Sequence, residues 1–456
     1  MVSVKRLLVV AGASGDLFAI KVAPALLRLH REGKLDGVEI LGTSRKDWSN
    51  LDFQRHVLEV LTKASLEPTE EFLARFAFAK SDISDPGSVD LLIGKLVDAH
   101  ATGVSSVALY LAIAPELFTP AFDAIARAVA QRAPQAREWL RVVVEKPYGS
   151  DSASAQALDE IILPALGEDG LYRIDHYLSK ETLQDVLALR FANRLFEAAW
   201  TAPNISEIRI RAYETATVGT RGAFYDGVGA IRDVAQNHLL QMIAAVTMDE
   251  PETFDAQTVR TRRAEALERL EYKAETGVIA QYVGYTDTEK VAADSTTETA
   301  FSFKLGINAP RWNGVPIDVR GGKGFNKKET YIEIEFQPST VSFSRFEGAP
   351  GHNRIRIELF PNERVTFTMF GKEPGIGARI TPREFGYSIQ DADAPAVGDI
   401  AYAATLHSAI VGDTAQFVGS REVAASWKLT DFLRADARSR PGRSYSIGSD
   451  PDSVLG

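Results

Sequence analysis

In the first third of the chain, short unbroken apolar runs alternate with segments of helical period. Leu7 to Ala11 stops at Gly12, Val38 to Leu41 stops at Gly42, and further runs occupy Phe76 to Ala79, Val107 to Ile113 and Leu140 to Val144. Such runs between turn residues predict strands buried on both faces. Pro24 to His30, Pro120 to Arg132 and Ser152 to Ile162 repeat their apolar residues at helical spacing. Strands alternating with helices predict a parallel, doubly wound α/β sheet, here over residues 1–172.

Beyond residue 172 the pattern changes. Ile205 to Tyr213, Ile279 to Tyr285, Thr299 to Leu305, Tyr331 to Phe336, Val341 to Phe346 and Arg354 to Leu359 alternate apolar and polar positions, which predicts consecutive strands with one buried face. Helical spacing recurs at Lys180 to Leu195, Val228 to Met248, Ala256 to Leu270 and Ile400 to Ile410. Residues 173–456 are expected to form a larger β+α domain, α+β in class, with a mainly antiparallel sheet covered by helices on one face. The stretch from Arg438 to Gly456, rich in Arg, Ser, Gly and Pro, predicts a poorly ordered tail.

Composition narrows the function. The chain has 456 residues, 61 Asp plus Glu against 51 Lys plus Arg, a formal charge of −10, and no cysteine. Disulfides, thiolate metal sites and Cys nucleophiles are excluded. An acidic balance disfavours nucleic acid as a partner, since phosphate backbones are held by Lys and Arg, so any anionic ligand needs a local basic cluster. Lys5-Arg6 before an apolar stretch resembles the head of a signal peptide, but the stretch is short and runs into Ser14-Gly15-Asp16 without a cleavage pattern. No window reaches the ~18 apolar residues of a spanning helix. A cytoplasmic protein with no membrane partner is expected.

Gly12 and Gly15 stand where the first buried strand turns into a helix. Glycine there lets the backbone approach a diphosphate, whose charge meets the amides and dipole of the helix N-terminus. The same turn would also serve as a plain connector, so the end of the second strand carries more information. An acidic residue there suits the ribose hydroxyls of NAD, and an arginine suits the 2′-phosphate of NADP. The chain has Ser44-Arg45-Lys46. The first domain is therefore expected to be Rossmann-like and dinucleotide-binding, with NADP favoured over NAD.

Two polar motifs concentrate ionisable groups. Asp175, His176, Tyr177 and Lys180 precede a predicted helix, where their donors and the helix amides suit a phosphate. Asp233, Asn237 and His238 lie within a predicted helix, with Asp233 and Asn237 sharing a face at i, i+4. The chain has seven histidines, and two of them fall in these motifs. A general base near neutral pH needs an imidazole held in one tautomer by an acceptor, and Asp175 is available for that role. Glu145-Lys146-Pro147 follows a buried strand, where doubly wound folds place their ligands. Arg311 to Lys328, with Arg320, Lys323, Lys327 and Lys328, supplies the basic cluster that the acidic whole requires.

Gly-Ala-Ser-Gly-Asp-Leu at 12–17, Glu-Lys-Pro-Tyr-Gly at 145–149, Arg-Ile-Asp-His-Tyr-Leu-Ser-Lys at 173–180, Arg-Phe-Ala-Asn at 190–193, Ile-Arg-Asp-Val-Ala-Gln-Asn-His-Leu-Leu-Gln at 231–241 and Val-Pro-Ile-Asp-Val-Arg-Gly-Gly-Lys at 315–323 occur in this order. Together they resemble the glucose-6-phosphate dehydrogenase family over essentially the whole chain. The resemblance implies that His238 is the general base at the sugar C1 hydroxyl and that Asp175 orients it. It assigns the 6-phosphate to His176, Tyr177 and Lys180, sugar hydroxyls to Glu214 and Asp233, and further substrate contacts to Lys323 and Lys328. Lys146 would bridge cofactor and substrate, while Gly12, Ser14, Gly15, Asp16, Leu17 and Arg45 would line the dinucleotide site.

It further implies NADP-dependent oxidation of glucose 6-phosphate to its lactone, the first oxidative step of the pentose phosphate pathway. NAD would be a secondary cofactor, no metal would be needed, and the second domain's sheet would join a homodimer or homotetramer. Phe18 stands where the family commonly has a small residue, Ser179 where it has glycine, and Thr215 to Thr220 differ from its Pro-Phe-Gly-Thr pattern. The same chemistry on a modified hexose 6-phosphate would keep these motifs. So would a noncatalytic cofactor- or sugar-phosphate-binding paralogue, although such a protein has no need of His238 and Asp175 as a base pair.

Overall fold

The computed structural model describes residues 5–274, 276–341, 347, 351–389 and 400–456. The chain divides into two compact units, one of Met1–Ser179, Glu252–Arg260 and Pro395–Ala424, the other of Lys180–Pro251, Thr261–Ala394 and Ala425–Gly456.

The first unit is built on seven strands. Six are parallel: β1 (Lys5–Ala11), β2 (Val38–Ser44), β3 (Phe76–Lys80), β4 (Val104–Leu111), β5 (Leu140–Val144) and β6 (Leu171–Ile174). Phe417–Val418, here β16, adds antiparallel beside β6, giving the order β16-β6-β5-β4-β1-β2-β3. The expected doubly wound sheet is present, and the boundary read at residue 172 falls inside β6. Leu8, Val9, Val10, Leu109 and Val143 are fully buried, which is why these strands read as unbroken apolar runs. Strand order reverses between β1 and β4, and a crevice opens at the carboxyl ends of strands at such a switch point.

Phe18 opens a five-residue π-helix, Phe18–Val22, and is buried with its ring 5.5 Å from that of Phe53. A Cβ on Gly42 of β2 would stand 2.3 Å from the Phe53 ring, so this glycine makes room for the aromatic pair.

The second unit is built on a ten-stranded sheet. Its strands are β7 (Ile205–Tyr213), β8 (Leu270–Tyr272), β9 (Val278–Tyr282), β10 (Ala300–Ile307), β11 (Ile317–Gly322), β12 (Glu329–Phe336), β13 (Arg354–Phe360), β14 (Arg364–Lys372), β15 (Ile380–Ser388) and β17 (Arg443–Tyr445). They run in the order β15-β14-β13-β12-β7-β11-β10-β9-β17, with β8 paired to β10. Pairing is antiparallel except at β7–β11 and β9–β17. Ile208, Ile210, Ile332, Ile334, Ile355 and Ile357 form the buried face, and the helix Glu181–Phe191 packs against β13 on this unit. Arg209 pairs with Glu333 and Arg356 with Glu329 across neighbouring strands at 2.8 and 3.0 Å, the polar counterpart of that alternation.

Several expectations change. The strand read at Val341 to Phe346 lies outside the described residues after Val341. The helix read from Lys180 to Leu195 breaks into Glu181–Phe191 and Arg194–Ala199. The single helix read from Val228 to Met248 is three pieces: Gly222–Ala230, kinked at Gly229, a π-helix Ile231–Leu239, and Leu240–Thr247. The tail is not loose. Arg443–Tyr445 pairs parallel with β9, Pro451–Leu455 is helical, and Arg440 donates to the Gly277 carbonyl at 2.9 Å.

Because the Phe53 ring is buried and closely packed, Gly42→Ala is expected to destabilise the protein by about 1–3 kcal/mol through overpacking. Urea denaturation reads this directly, and an unchanged midpoint would mean that the ring can move aside.

Candidate active site

At the carboxyl ends of β1 to β4 lies a cavity of about 430 Å³ lined by Gly12, Ser14, Gly15, Thr43, Ser44, Arg45, Lys46, Ser81, Asp82, Ile83, Ser84, Ala112, Ile113 and Leu117. Its floor depends on Gly12, whose φ is +87° and whose Cβ, if present, would stand 2.2 Å from the Ala112 carbonyl oxygen. Only glycine meets both conditions. Gly12 and Ala13 donate to the Thr43 carbonyl at 2.9 and 3.0 Å, and Gly15 donates back to Gly12 at 3.0 Å. Arg45 is exposed at the rim, while the Lys46 ammonium lies 5.0 Å above the Trp48 ring. The Ser84 hydroxyl and amide hold Asp82 below the usual carboxylate range, and the charge of Arg45 adds to this. Asp16 and Leu17 do not line the cavity: Asp16 is exposed, and Leu17 packs half-buried on the core. Gly12, a concave cradle and a rim guanidinium fit a dinucleotide phosphate.

The same unit holds the Asp175 turn. Asp175 is buried and its Oδ1 accepts from the Tyr177 amide at 2.9 Å. His176 Nε2 lies 3.2 Å from Glu145 Oε2, and its ring stacks on Tyr402 with centroids 4.5 Å apart. Glu145 Oε1 accepts from the hydroxyls of Tyr110 and Tyr402, the latter at 2.8 Å. Burial alone would raise the pKa of Glu145, but His176 and the two phenols pull it down to about 2. Lys146 follows at the end of β5, half-buried, and its bond to Pro147 is cis. Ser179, the departure from glycine, spends its hydroxyl on Thr405 Oγ1 at 2.7 Å.

In the second unit the parallel register Tyr213↔Gly322 brings the ends of β7 and β11 side by side. Glu214 and Lys323 are the next residues, and Lys323 Nζ lies 2.9 Å from Glu214 Oε2 and 3.6 Å from Asp233 Oδ2. Lys323 is only 2% exposed. Asp233 and His238 both ride on the π-helix Ile231–Leu239. A π-helix bonds i to i+5, and Asp233, Asn237 and His238 all lie on this one. The Asn237 amide donates to the Arg232 carbonyl at 3.2 Å, and its Oδ1 accepts from the His238 amide at 2.7 Å. Lys180 Nζ lies 3.5 Å from Glu363, and Lys328 Nζ 4.2 Å from the Phe360 ring centroid, so both lysines meet the turn between β13 and β14.

Models of two domains match the chain: the glucose-6-phosphate dehydrogenase NAD binding domain over residues 9–185 and the glucose-6-phosphate dehydrogenase C-terminal domain over residues 187–454. The chain belongs to the glucose-6-phosphate dehydrogenase family. The glucose-6-phosphate 1-dehydrogenase of Bacillus subtilis is 33% identical over 451 residues, 94% of this chain and 91% of that protein. A solved glucose-6-phosphate dehydrogenase in complex with its substrate glucose-6-phosphate superposes with a TM-score of 0.88 at 30% identity, covering 100% of this chain and 97% of that one. The Mycobacterium avium glucose-6-phosphate 1-dehydrogenase gives a TM-score of 0.85 at 30% identity over 99% and 96% of the two chains.

Within this family frame, sequence reasoning missed the residues that hold the motif side chains. Ser81, Asp82, Ser84 and Ala112 reach the cavity because β3 and β4 flank β2 and β1, a placement readable from the doubly wound strand order. Glu145 was visible in its pentapeptide, whereas Tyr110, Tyr402 and Glu363 carry no local signal.

Ionised Glu145 contributes stability that is complete above its ordinary value of 4.5 and is lost as pH falls toward about 2. Glu145→Gln is expected to lower stability at neutral pH and to flatten that acid limb. Thermal melting across this range tests it, and an unchanged limb would rule out Glu145 as its source.

Proposed function

We propose that this protein oxidises glucose 6-phosphate at C1 to 6-phosphoglucono-1,5-lactone, with NADP preferred and NAD secondary. Support comes first from one observation: Glu214 and Asp233 both pair with a buried Lys323, and Asp233 shares a π-helix with His238. A bound nicotinamide nucleotide supplies the hydride acceptor.

An imidazole nitrogen of His238 takes the proton of the C1 hydroxyl; the electron pair of that O–H bond becomes the second bond of the lactone carbonyl as hydride departs from C1. Asp175 is assigned to orient His238, a pairing that rests on the family resemblance. Glu214 and Asp233 accept from sugar hydroxyls, and Lys323 holds both carboxylates in place. His176, Tyr177 and Lys180 meet the 6-phosphate, with Lys328 as a further contact. Gly12, Ser14 and Gly15 face the diphosphate, Asp16 and Leu17 complete their turn without lining the cavity, Arg45 meets the 2′-phosphate, and Lys146 bridges cofactor and sugar. Residues 1–172 thus serve the cofactor and residues 173–456 the substrate.

The second unit also exposes Met369, Ile376, Phe385 and Tyr387 on β14, β15 and their turn. An edge strand carrying apolar side chains is a pairing surface, which supports a homodimer or homotetramer. Among the described residues no helix is long and apolar enough to cross a membrane. As part of this proposal, and not because of that absence, we place the protein in the cytoplasm.

A panel of sugar phosphates with NADP and NAD, read by reduced-nicotinamide absorbance, should give the highest kcat/KM for glucose 6-phosphate with NADP. A modified hexose 6-phosphate outperforming it would redirect the assignment. His238→Asn should lower kcat by about 10²- to 10⁴-fold, and normal turnover would refute the base. Arg45→Ala should cut the NADP-over-NAD preference by roughly 10- to 100-fold, the loss of a charge-assisted phosphate contact. An unchanged preference would assign the 2′-phosphate elsewhere.

A further inference from the structure

The π-helix that carries Asp233 and His238 begins at an abrupt kink. Gly229 has φ +77° and ψ 166°, outside helical geometry. Directly after it, the Ala230 amide donates to the Glu298 carbonyl at 2.9 Å and the Ile231 amide to Glu298 Oε1 at 3.3 Å. A helix start leaves amides without intrahelical partners, and one residue here meets two of them through its backbone and its side chain. The approach requires glycine, since a Cβ at 229 would stand 2.3 Å from Glu298 Oε1.

Glu298 is 2% exposed, and Arg438 Nη2 lies 3.8 Å from its other oxygen. Its neighbours are fixed as well. Thr297 Oγ1 donates to the Asp226 carbonyl at 2.7 Å, and the Thr299 carbonyl accepts from the Lys323 amide at 2.9 Å. Tyr445 ties the two sides together, its hydroxyl 2.9 Å from Thr299 Oγ1 and 2.6 Å from the Lys323 carbonyl. Residues 297–299 therefore hold the entry of the helix at one end and the backbone of Lys323 at the other, and Lys323 meets Asp233 again through its side chain.

We propose that Glu298 is a positioning residue: its carbonyl and carboxylate fix the start of the π-helix, and so the placement of Asp233 and His238 relative to Lys323. The inference rests on the reading of His238 as the base. What matters is the reach of the Glu298 oxygen rather than its charge. Burial pushes its carboxyl up, toward the neutral form that glutamine mimics. Aspartate keeps the charge but withdraws the acceptor by one methylene, about 1.5 Å, and a misplacement of this size in a catalytic group is felt in kcat.

Glu298→Gln, Glu298→Asp and Glu298→Ala are compared with wild type for kcat, both KM values and thermal midpoint, with His238→Asn assayed alongside. Gln should stay close to wild type, while Asp and Ala lose kcat by on the order of 10- to 100-fold with the nucleotide KM unchanged. If Ala does not fold, the Gln and Asp pair still decides. A Gln variant as impaired as Asp, or an Asp variant with wild-type kcat, overturns the proposal. Loss of turnover in His238→Asn beside a normal Glu298→Asp refutes the positioning role alone, whereas normal turnover in His238→Asn refutes the base and the positioning role together.

Discussion

An ammonium group withdrawn from water as far as that of Lys323 persists only against negative charge. Glu214 at 2.9 Å and Asp233 at 3.6 Å supply it, and meeting that demand ties three stretches of backbone together. The parallel pairing of β7 and β11 sets Glu214 beside Lys323, with the Glu214 amide donating to Gly322 at 2.9 Å and Phe325 donating back to Glu214 at 3.0 Å. Thr299 fixes Lys323 from the β10 side, and the π-helix brings Asp233. Both carboxylates meet the one ammonium, whose attraction for each offsets the repulsion between them. The parallel pairing of β7 and β11 ends both strands on the same side, so that their next residues, Glu214 and Lys323, are neighbours.

The first unit was legible because burial on both faces writes a continuous apolar run, and a run needs no knowledge of its neighbours. β1, β2, β3 and β5 begin and end within a few residues of where the pattern puts them. The second unit was legible only where one face is apolar. β12 and β13 alternate cleanly, but β15 is exposed along most of its length and carries Pro382, a residue that edge strands tolerate; alternation has nothing to report there. The tail misled for a related reason. Its polar composition reads as loose, yet Tyr445 is buried against Thr299 and Lys323, and backbone pairing to β9 is indifferent to side-chain polarity.

The candidate site divides along the same line. Glycines and motif residues were readable because each answers a local demand, a positive φ at Gly12 or a pair of cations after β2. Their partners were not, because Tyr110, Tyr402, Glu363 and Glu298 meet them only through tertiary contacts. Helical winding is the subtlest case. The spacing of Asp233, Asn237 and His238 is the same number of residues in an α- or a π-helix, but the hydrogen-bond step differs between the two, and no composition signals that step.

The acidity of the chain takes on a different sense in this light. A net charge of −10 argues against anionic ligands if charge is spread evenly, yet here carboxylates stand behind cations one by one: Glu145 behind His176, Glu363 behind Lys180, Glu214 and Asp233 behind Lys323. A flexible cationic side chain loses rotamer freedom when it meets a ligand, at a cost of about 0.5–1.5 kcal/mol each. A carboxylate that already holds the side chain has met that cost in the folded protein. Under the proposed reading, the acidic residues oppose a sugar phosphate at long range, where salt screens them within about 10 Å, and assist it at contact by presenting donors that are already in place.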